Sequence, residues 1–410
     1  MREPTVTATA ANDVYYDPYD FDIDADPYPV FKRLRDEAPL YYNEKHDFWA
    51  VSRFEDVRAV SADWRTYISG KGSVLELIKS GLEIPPGTIL FEDPPAHDLH
   101  RGLLSRVFTP RRMEAIEPQV RAFCAATLDP LLECDGFDFV KDLAADMPMR
   151  VIGMLLGVPE EDQVAIRDHI DEALRLEDPD AVGADIENRK NAIDGSIFSD
   201  YIDWRVEHPS DDLMTDLLRA EFEDVTGTTR TLTRPEVLNY VGLLAAAGNE
   251  TTTRLIGWAG KVLAEHPDQR RLLVESPELV RGAIEELLRF ESPSPVQARY
   301  MTADAEHCGT VVPAGSVMLA LTAAANRDER QFPEPDRFDV TRDAPVHLAF
   351  GYGIHFCLGS HLARLEGRIA LEEVLARFPE WEVDWDHAVR AHTSTVRGWE
   401  QLPVHVTRSM

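Results

Sequence analysis

The chain contains, at residues 350–359, the stretch FGYGIHFCLG, in which a single cysteine, Cys357, lies in a tight loop before a helix predicted over 359–378. Its glycines permit backbone conformations with positive φ and a close approach to a flat ligand. The N–H groups and the dipole of the following helix favour the thiolate form of Cys357. One thiolate lacks the four-ligand set of a structural zinc site, but it suits a haem iron, which takes one proximal ligand from below. The alternative is a buried, inert thiol, and the spacing of the loop residues argues against it.

The composition indicates a globular protein without a disulfide framework. The 410 residues carry 42 basic and 73 acidic side chains and a net charge of −31. This disfavours a nucleic-acid binder, because affinity for phosphate needs clustered positive charge. The other three cysteines, Cys124, Cys134 and Cys308, form no CxxC pair, and we interpret them as packing residues. We recognise no signal peptide and no transmembrane run, so we expect a cytoplasmic protein.

Helix-type patterns dominate the chain, and strand-type patterns are short. We expect a loose N-terminal lead-in over 1–25 and a single domain over 26–410. The predicted elements are a helix over 26–39, a hairpin over 40–54, a loop over 68–95, mostly helix over 96–290, and short strands within 295–320 and 380–408. No alternation of strand and helix indicates a parallel sheet. The predicted fold class is therefore mainly α with small β-sheets.

One predicted helix is unusually long. Thr233 and Glu236 form a capping box, and the helical pattern continues to Glu265. A helix of this length spans about 45–50 Å, and its apolar centre predicts that it crosses the core. Residues 248–253 (GNETTT) interrupt that centre with a carboxylate and hydroxyl groups, which are costly to bury unless they are satisfied. On these residues alone, a solvated face near a kink is as good an interpretation as a functional site.

With these features the sequence resembles the cytochrome P-450 family, the haem-thiolate monooxygenases, in its soluble bacterial form. The resemblance covers essentially the whole chain after about Asp26. Five motifs match in the family's order, namely His97 with Arg101, Ala247–Thr252 in the central helix, the ExxR motif Glu286–Arg289, Pro335–Phe338, and the loop Phe350–Gly359. The resemblance implies the fold of that family, with haem between the central helix and the helix that follows the cysteine loop.

The resemblance also implies how the chain binds haem b (iron protoporphyrin IX). Cys357 is the implied axial ligand of the iron, in a loop that also supplies Phe350, Gly351 and Gly359 to the haem site. Thiolate ligation makes haem iron electron-rich and favours O–O cleavage. The implied partners of the two propionates are His97, Arg101, Arg299 and His355, and arginine is the best planar partner for a carboxylate.

The ExxR motif belongs to an implied ion triad. Glu286, Arg289 and Arg337 form this triad in the family, and we interpret it as structural rather than catalytic because it holds the segment that carries the cysteine. Breaking such a buried network leaves an uncompensated charge.

An acid–alcohol pair is implied in the central helix. Glu250 and Thr251 would deliver protons during O2 activation, with the hydroxyl as relay and the carboxylate as its supply. Gly248 would leave room for oxygen beside the pair. Many bacterial relatives carry aspartate where Glu250 stands, which is a conservative difference.

The implied activity is insertion of one oxygen atom from O2 into a small apolar organic substrate. The chain has no flavin or nicotinamide fingerprint, so an iron–sulfur ferredoxin and a ferredoxin reductase that uses NAD(P)H are implied as partners. A basic patch of Arg101, Arg106, Arg111 and Arg112 would steer an acidic ferredoxin, or is an ordinary helix with solvated arginines. We expect a monomer. The alternative functions are a peroxide-driven peroxygenase and a non-catalytic haem sensor or carrier.

The residues expected to line the substrate pocket are mostly apolar. They are Val74, Leu75, Ile78, Leu244, Ala247, Val296, Thr395 and Val396. This lining favours a terpenoid, fatty or steroid-like substrate. The next interpretation is a compact aromatic acid whose carboxylate pairs with Lys71 or Lys79, and a further one is that the apolar loop residues only pack on the core.

Overall fold

A computed structural model describes residues 14–84, 87–175, 195–343, 346–393 and 395–407. Helices dominate these residues, as the sequence predicts. The described helices are α1 (Phe21–Ala25), α2 (Tyr28–Glu37), α3 (Phe54–Ala62), α4 (Leu75–Ser80), α5 (Ala96–Ser105), α6 (Pro110–Leu128), α7 (Asp146–Leu156), α8 (Glu160–Leu174), α9 (Ser199–Glu207), α10 (Leu213–Arg219), α11 (Arg234–Glu265), α12 (Pro267–Glu275), α13 (Val280–Phe290), α14 (Thr322–Ala325) and α15 (Ser360–Arg377).

The strands are short and form small sheets. They are β1 (Leu40–Asn43), β2 (Phe48–Val51), β3 (Tyr67–Ile68), β4 (Gly136–Asp138), β5 (Glu221–Glu223), β6 (Thr229–Thr231), β7 (Gln297–Met301), β8 (Ala305–His307), β9 (Thr310–Val312), β10 (Val317–Ala320), β11 (Trp381–Val383), β12 (Val389–His392), β13 (Arg397–Gln401) and β14 (Pro403–Val406). The largest sheet has the order β1-β2-β10-β7-β3, and a three-stranded sheet has the order β11-β14-β4. The hairpin predicted over 40–54 is confirmed as the antiparallel pair β1–β2, with Leu40 opposite Val51.

The long predicted helix is confirmed as α11, which the capping box starts at its predicted position. Thr233 N donates to Glu236 Oε2 at 2.7 Å, and Glu236 N donates back to Thr233 Oγ1 at 3.4 Å. The helix has 32 residues and ends at Glu265. It packs against α7 and α15, and most of its central residues are buried. It therefore crosses the core and places residues 247–251 in the interior.

The N-terminal segment packs against the large sheet. Val14, Tyr16 and Tyr19 are buried in a cluster that also contains Phe31 and Phe48. The prediction of a loose lead-in is therefore wrong for 14–25, because these apolar side chains cover one face of the sheet and α1 follows them. Residues 1–13 of that predicted lead-in lie outside the described residues.

The predicted loop over 68–95 contains a short helix. This helix, α4, ends at Gly81, whose φ of 66° is in the left-handed region that glycine adopts readily. The prediction of an uninterrupted loop is wrong here because Leu75 is buried against the large sheet, and this burial stabilises a helix that the sequence periodicity is too short to show. Across the part of the chain that the structure describes, no helix combines the length and the apolar content needed to cross a bilayer.

Candidate active site

The cysteine loop has the closed shape that its glycines predict. Gly351 has a φ of 71° and Gly353 a φ of 77°. A Cβ at Gly353 would lie 2.6 Å from the carbonyl oxygen of Ser61 on α3, so that close approach also requires glycine. The loop folds back on itself where Cys357 N donates to Phe350 O at 2.8 Å. This hydrogen bond places Cys357 just before α15.

The sulfur of Cys357 is surrounded by groups that stabilise its anion. Burial raises the pKa of the thiol above its usual value, and the N–H of Gly359 and the guanidinium groups of Arg101 and Arg364 offset only part of that rise. A metal cation at the sulfur would add the charge that makes the thiolate the stable form. Phe350 is 9% exposed and packs below Arg364, whose Cζ lies 4.4 Å from the ring centroid. The chemistry of this donor therefore fits a single thiolate ligand next to a buried phenyl ring.

The four predicted propionate partners lie together beside the loop. The rings of His97 and His355 are 4.5 Å apart, and Nε2 of each is buried without a hydrogen-bond partner among the described residues. Arg299 is 5% exposed, and Arg101 Nη2 donates to Phe356 O at 2.6 Å. Within the described part of the chain, neither guanidinium forms an ion pair.

The electrostatics of this cluster indicate an anionic ligand. Burial, followed by the charges of Arg299, His97 and Arg101, lowers the pKa of His355 to about 3. Burial also lowers the pKa of Arg299 to about 10. Two carboxylates would satisfy the buried nitrogen atoms and compensate the crowded positive groups. The residues therefore fit the propionates of a haem.

The central helix presents a small open face at Ala247 and Thr251. Ala247 is exposed and Thr251 is half-buried, whereas Ala245, Ala246 and Asn249 around them are buried. Thr251 Oγ1 donates to Ala247 O at 2.9 Å, which leaves the hydroxyl oxygen free to accept from a proton donor.

Glu250 is buried on a neighbouring face of α11. Its Oε1 lies 3.1 Å from Nη2 of Arg254, one turn further along the helix, and Arg254 Nη1 also donates to Trp399 O. Asn249 Nδ2 donates to Asp171 Oδ1 at 3.3 Å, and burial raises the pKa of Asp171. The acid of the predicted pair is therefore held by an arginine in a polar network that reaches α8.

Gly248 does not have the predicted geometry. A Cβ built on Gly248 would meet Ile152 of α7 at 3.7 Å, so the missing side chain faces α7 and not the open face at Ala247. The expectation that Gly248 itself makes room for oxygen is therefore wrong, because the helical rotation between residues 247 and 248 turns it away.

The predicted ion triad has a different third member. Glu286 and Arg289 are both fully buried, with Nε–Oε2 at 2.7 Å, as predicted. The Arg337 side chain is 58% exposed and pairs with Glu334 and Asp339, so its prediction as the third member is wrong. Only its backbone carbonyl accepts from Arg289, at 3.3 Å.

Arg342 takes that place instead. Its Nε lies 3.1 Å from Oε1 of Glu286, and Nη1 and Nη2 bind the carbonyl oxygens of Pro333, Glu334 and Arg337. The sequence signal for it is a second arginine in the same irregular segment, but spacing alone does not show which side chain turns inward.

Several predicted pocket residues lie beside the N-terminal segment. Leu75 is buried in the N-terminal cluster, and Ile78 and Val296 pack against that cluster, so their role as substrate-pocket residues stays a prediction. Val296, Thr395 and Val396 line a pocket together with residues of the N-terminal segment. Val74 is half-buried and precedes α4.

Leu244 and Ala247 remain on the face of α11 that leads to Thr251. Leu244 is buried and Ala247 is exposed. Lys79, a predicted carboxylate partner, is bound by Asp47 Oδ2 at 2.8 Å, and Lys71 is exposed.

The predicted basic patch is divided. Arg101 faces the cysteine loop, whereas Arg106, Arg111 and Arg112 are exposed on the surface. Arg112 lies 3.5 Å from Asp216. Phe356, next to Cys357 and bound by Arg101 through its carbonyl, is 37% exposed. The start of α5 and the cysteine loop therefore share one surface.

Comparisons with known proteins agree on one family. The family model Cytochrome P-450 matches residues 183–396. Vitamin D(3) 25-hydroxylase of Pseudonocardia autotrophica is 37% identical over 387 residues, which cover 92% of this chain and 93% of that protein. Cytochrome P-450 monooxygenase PikC of Streptomyces venezuelae is 37% identical over 395 residues, which cover 94% of this chain and 92% of that protein.

Solved structures have the same fold. A mutant of P-450 EryK in complex with erythromycin B has a TM-score of 0.86 at 32% sequence identity, and the match covers 94% of this chain and 97% of that chain. Similarity of this extent, together with a cysteine loop beside a cationic cluster, shows that the chain belongs to the cytochrome P-450 family of haem-thiolate monooxygenases.

Proposed function

We propose that this protein inserts one oxygen atom from O2 into an apolar organic molecule larger than a simple aromatic acid, with a terpenoid, fatty or steroid-like framework. The observation that carries the proposal is the apolar face of α11 at Leu244 and Ala247, which leads directly to Thr251. The names of relatives support the size, since one is a vitamin D(3) 25-hydroxylase and a structural neighbour was solved with erythromycin B. Of the two lysines that the compact acid would need, Lys79 is already bound by Asp47, and Lys71 is exposed.

Haem b, when bound, supplies the redox chemistry that activates O2 and oxidises the substrate. Cys357 would hold the iron, and the N–H of Gly359 donates towards the sulfur. Phe350 would keep water from the thiolate. His97, Arg101, Arg299 and His355 would bind the propionates and so would orient the flat group.

Proton delivery is proposed for Thr251 and Glu250. The Thr251 hydroxyl donates to Ala247 O, so its oxygen can accept a proton from water and return one to the reacting side. Glu250 is held by Arg254 in a buried position, where it can exchange protons with that water only if the ion pair opens. We therefore assign Thr251 the direct relay and Glu250 the supply.

Electrons are proposed to come from a ferredoxin that receives them from NAD(P)H through a ferredoxin reductase. The supporting features are the contact of Arg101 with Phe356 O beside the 37% exposed ring of Phe356, and the exposed Arg106 and Arg111 that follow α5 in the chain. An acidic partner would be steered to this surface in a salt-dependent way, although the chain as a whole carries a net charge of −31.

The experiment that tests the substrate proposal is an optical titration of the ferric protein with vitamin D3, a linear fatty acid and benzoate. A change from low to high spin reports entry of a ligand next to the haem. We expect a saturable change with vitamin D3 or the fatty acid and none with benzoate. A response to benzoate alone would overturn the proposed substrate class. Turnover driven faster by peroxide than by a ferredoxin system would overturn the proposed electron source.

A further inference from the structure

Glu285 connects the two segments that flank Cys357. It lies on α13 directly before Glu286, and Arg364 of α15 binds it in a bidentate pair, with Nε 2.7 Å from Oε1 and Nη2 2.9 Å from Oε2. His347, which precedes the cysteine loop, places Nε2 3.1 Å from Oε2 of the same carboxylate. The Glu285 carboxylate therefore binds both His347, which precedes the cysteine loop, and Arg364 on α15, the helix that follows the loop.

Arg364 links Glu285 to the surroundings of the Cys357 sulfur. Its Cζ lies 4.4 Å from the ring centroid of Phe350, and Phe350 O accepts the hydrogen bond of Cys357 N at 2.8 Å. The guanidinium is also one of the two positive charges that act on the Cys357 sulfur. Arg364 thus places a positive charge near Cys357, the implied metal ligand. The ion pair with Glu285 determines the position of that charge.

The charge of Glu285 is well defined. Burial raises the pKa of its carboxyl group, but hydrogen bonds from His347 and Arg364 outweigh this and lower the pKa to about 2. His347 Nδ1 accepts from Ala349 N at 3.2 Å, so the ring proton lies on Nε2 and points to Glu285. The carboxylate is therefore ionised at neutral pH and balances the charge of Arg364.

We propose that Glu285 is a positioning residue that sets the electrostatic potential at the Cys357 thiolate, by holding Arg364 against Phe350 and by balancing its charge. The proposal rests on the haem-thiolate function proposed above. Reduction adds one negative charge to the haem site, so nearby positive charge favours the reduced form. Loss of the Glu285 charge leaves the positive charge of Arg364 without its counterion, and loss of Arg364 leaves the negative charge of Glu285 without its counterion. The two losses should therefore shift the reduction potential of the haem in opposite directions.

The test is the reduction potential of the haem in the purified holoenzyme, measured without substrate, O2 or a redox partner. We expect Glu285→Gln to shift the potential in the positive direction, with a several-fold higher ratio of ferrous to ferric protein at a fixed potential. Arg364→Met should shift it in the negative direction. The double variant should return close to the wild-type potential, because both charges of one pair are then removed.

Glu117→Gln is the matched control. Glu117 Oε2 binds Arg368 Nη2 at 2.6 Å, one turn beyond Arg364 on the same helix, and Arg368 is not among the charges that act on the pKa of Cys357. Its loss removes a comparable ion pair from α15 and should leave the potential unchanged. A shift as large as that of Glu285→Gln would show general loosening of the helix and overturn the proposal.

Other outcomes also decide the question. A wild-type potential in Glu285→Gln, or shifts of equal sign in both single variants, would overturn the proposal. If Glu285→Gln does not take up haem, Arg364→Met and the charge-conserving Glu285→Asp decide instead, and a negative shift in the former with a near-wild-type value in the latter would support it. A wild-type protein without a thiolate-type carbon monoxide spectrum would refute the proposed function itself, whereas a thiolate-type spectrum with an unmoved potential refutes only this inference.

Discussion

Arg342 Nε lies 3.1 Å from Oε1 of Glu286, which makes Arg342 the side chain that shares this fully buried carboxylate with Arg289. The other donors of its guanidinium bind carbonyl oxygens of the segment 333–337. Arg342 thus fastens the irregular chain before the cysteine loop to α13. Arg337, in the same segment, contributes a backbone carbonyl to the network while its side chain points to solvent.

The two arginines are therefore expected to differ sharply on substitution. Arg342→Ala removes one partner of a buried carboxylate and should lower the free energy of unfolding by about 3–5 kcal/mol. Arg337→Ala removes only exposed pairs and should cost about 1 kcal/mol or less. Denaturant unfolding and haem content of the two purified variants check this. Equal losses, or a larger loss in Arg337→Ala, would contradict the placement of Arg342.

The cap of the central helix predicts a pH effect that does not depend on haem. Burial raises the pKa of Glu236, but hydrogen bonds from Arg230 and Thr233 lower it from 4.5 to about 2. A carboxyl group whose pKa is lower in the folded chain contributes stability above its ordinary pKa and loses it as the pH falls. The stability difference between wild type and Glu236→Gln should therefore shrink as the pH falls from 4.5 to about 2.

Unfolding curves at several pH values measure this difference. Glu275→Gln is the control, because Glu275 is exposed at the end of α12 and its replacement removes the same charge. A difference for Glu236→Gln that stays constant down to the lowest pH would contradict the assigned hydrogen bonds.

Alanine substitutions at two glycines of the cysteine loop should affect different properties, one the stability of the protein and the other its haem affinity. Gly353→Ala places a Cβ 2.6 Å from Ser61 O at a φ of 77°, and we expect a loss of about 1–3 kcal/mol in stability. Gly359 has a φ of −81°, and a Cβ there meets no atom within 4 Å. Gly359→Ala should keep the thermal stability of the protein without haem and reduce haem affinity, because its methyl group enters open space at the start of α15, where the haem is predicted to lie. Haem titration and thermal melts of both variants separate the two effects, and full haem affinity in Gly359→Ala would contradict this use of the space.

Thr251 should control how efficiently electrons are used. Thr251→Ala removes the hydroxyl that donates to Ala247 O and should lower the yield of product by about 10²-fold, while NAD(P)H is still consumed and peroxide accumulates. Thr251→Ser keeps a hydroxyl and is expected to retain most of the coupling. Product, NAD(P)H and peroxide are measured in the same reaction. Unchanged coupling in Thr251→Ala would remove Thr251 from the proton path.

The sequence was sufficient wherever local chemistry sets the structure. The capping box at Thr233 fixes the start of α11, and the glycines of the cysteine loop fix its shape, because both depend on residues close in the chain. His97 and His355 were also identified together, since both belong to motifs and meet as 4.5 Å neighbours in the fold.

The sequence did not predict those side-chain contacts that depend on packing between residues far apart in the chain. Arg337 and Arg342 lie in one irregular segment, and only the path of that segment across α13 turns Arg342 inward. Leu75 has the character of a pocket residue, yet the sheet and the N-terminal segment bury it. The connection of Glu285 to Arg364 joins residues far apart in the chain, and no spacing in the sequence shows it.

Thiolate ligation by Cys357 is tested most directly by the optical spectrum of the reduced, haem-loaded protein under carbon monoxide. The wild type is predicted to show the strongly red-shifted Soret band of thiolate-ligated haem, and Cys357→His is predicted to lose this band while it still binds haem. A wild-type spectrum of the histidine-ligated type, or an unchanged spectrum in Cys357→His, would contradict the assignment of Cys357 as the iron ligand.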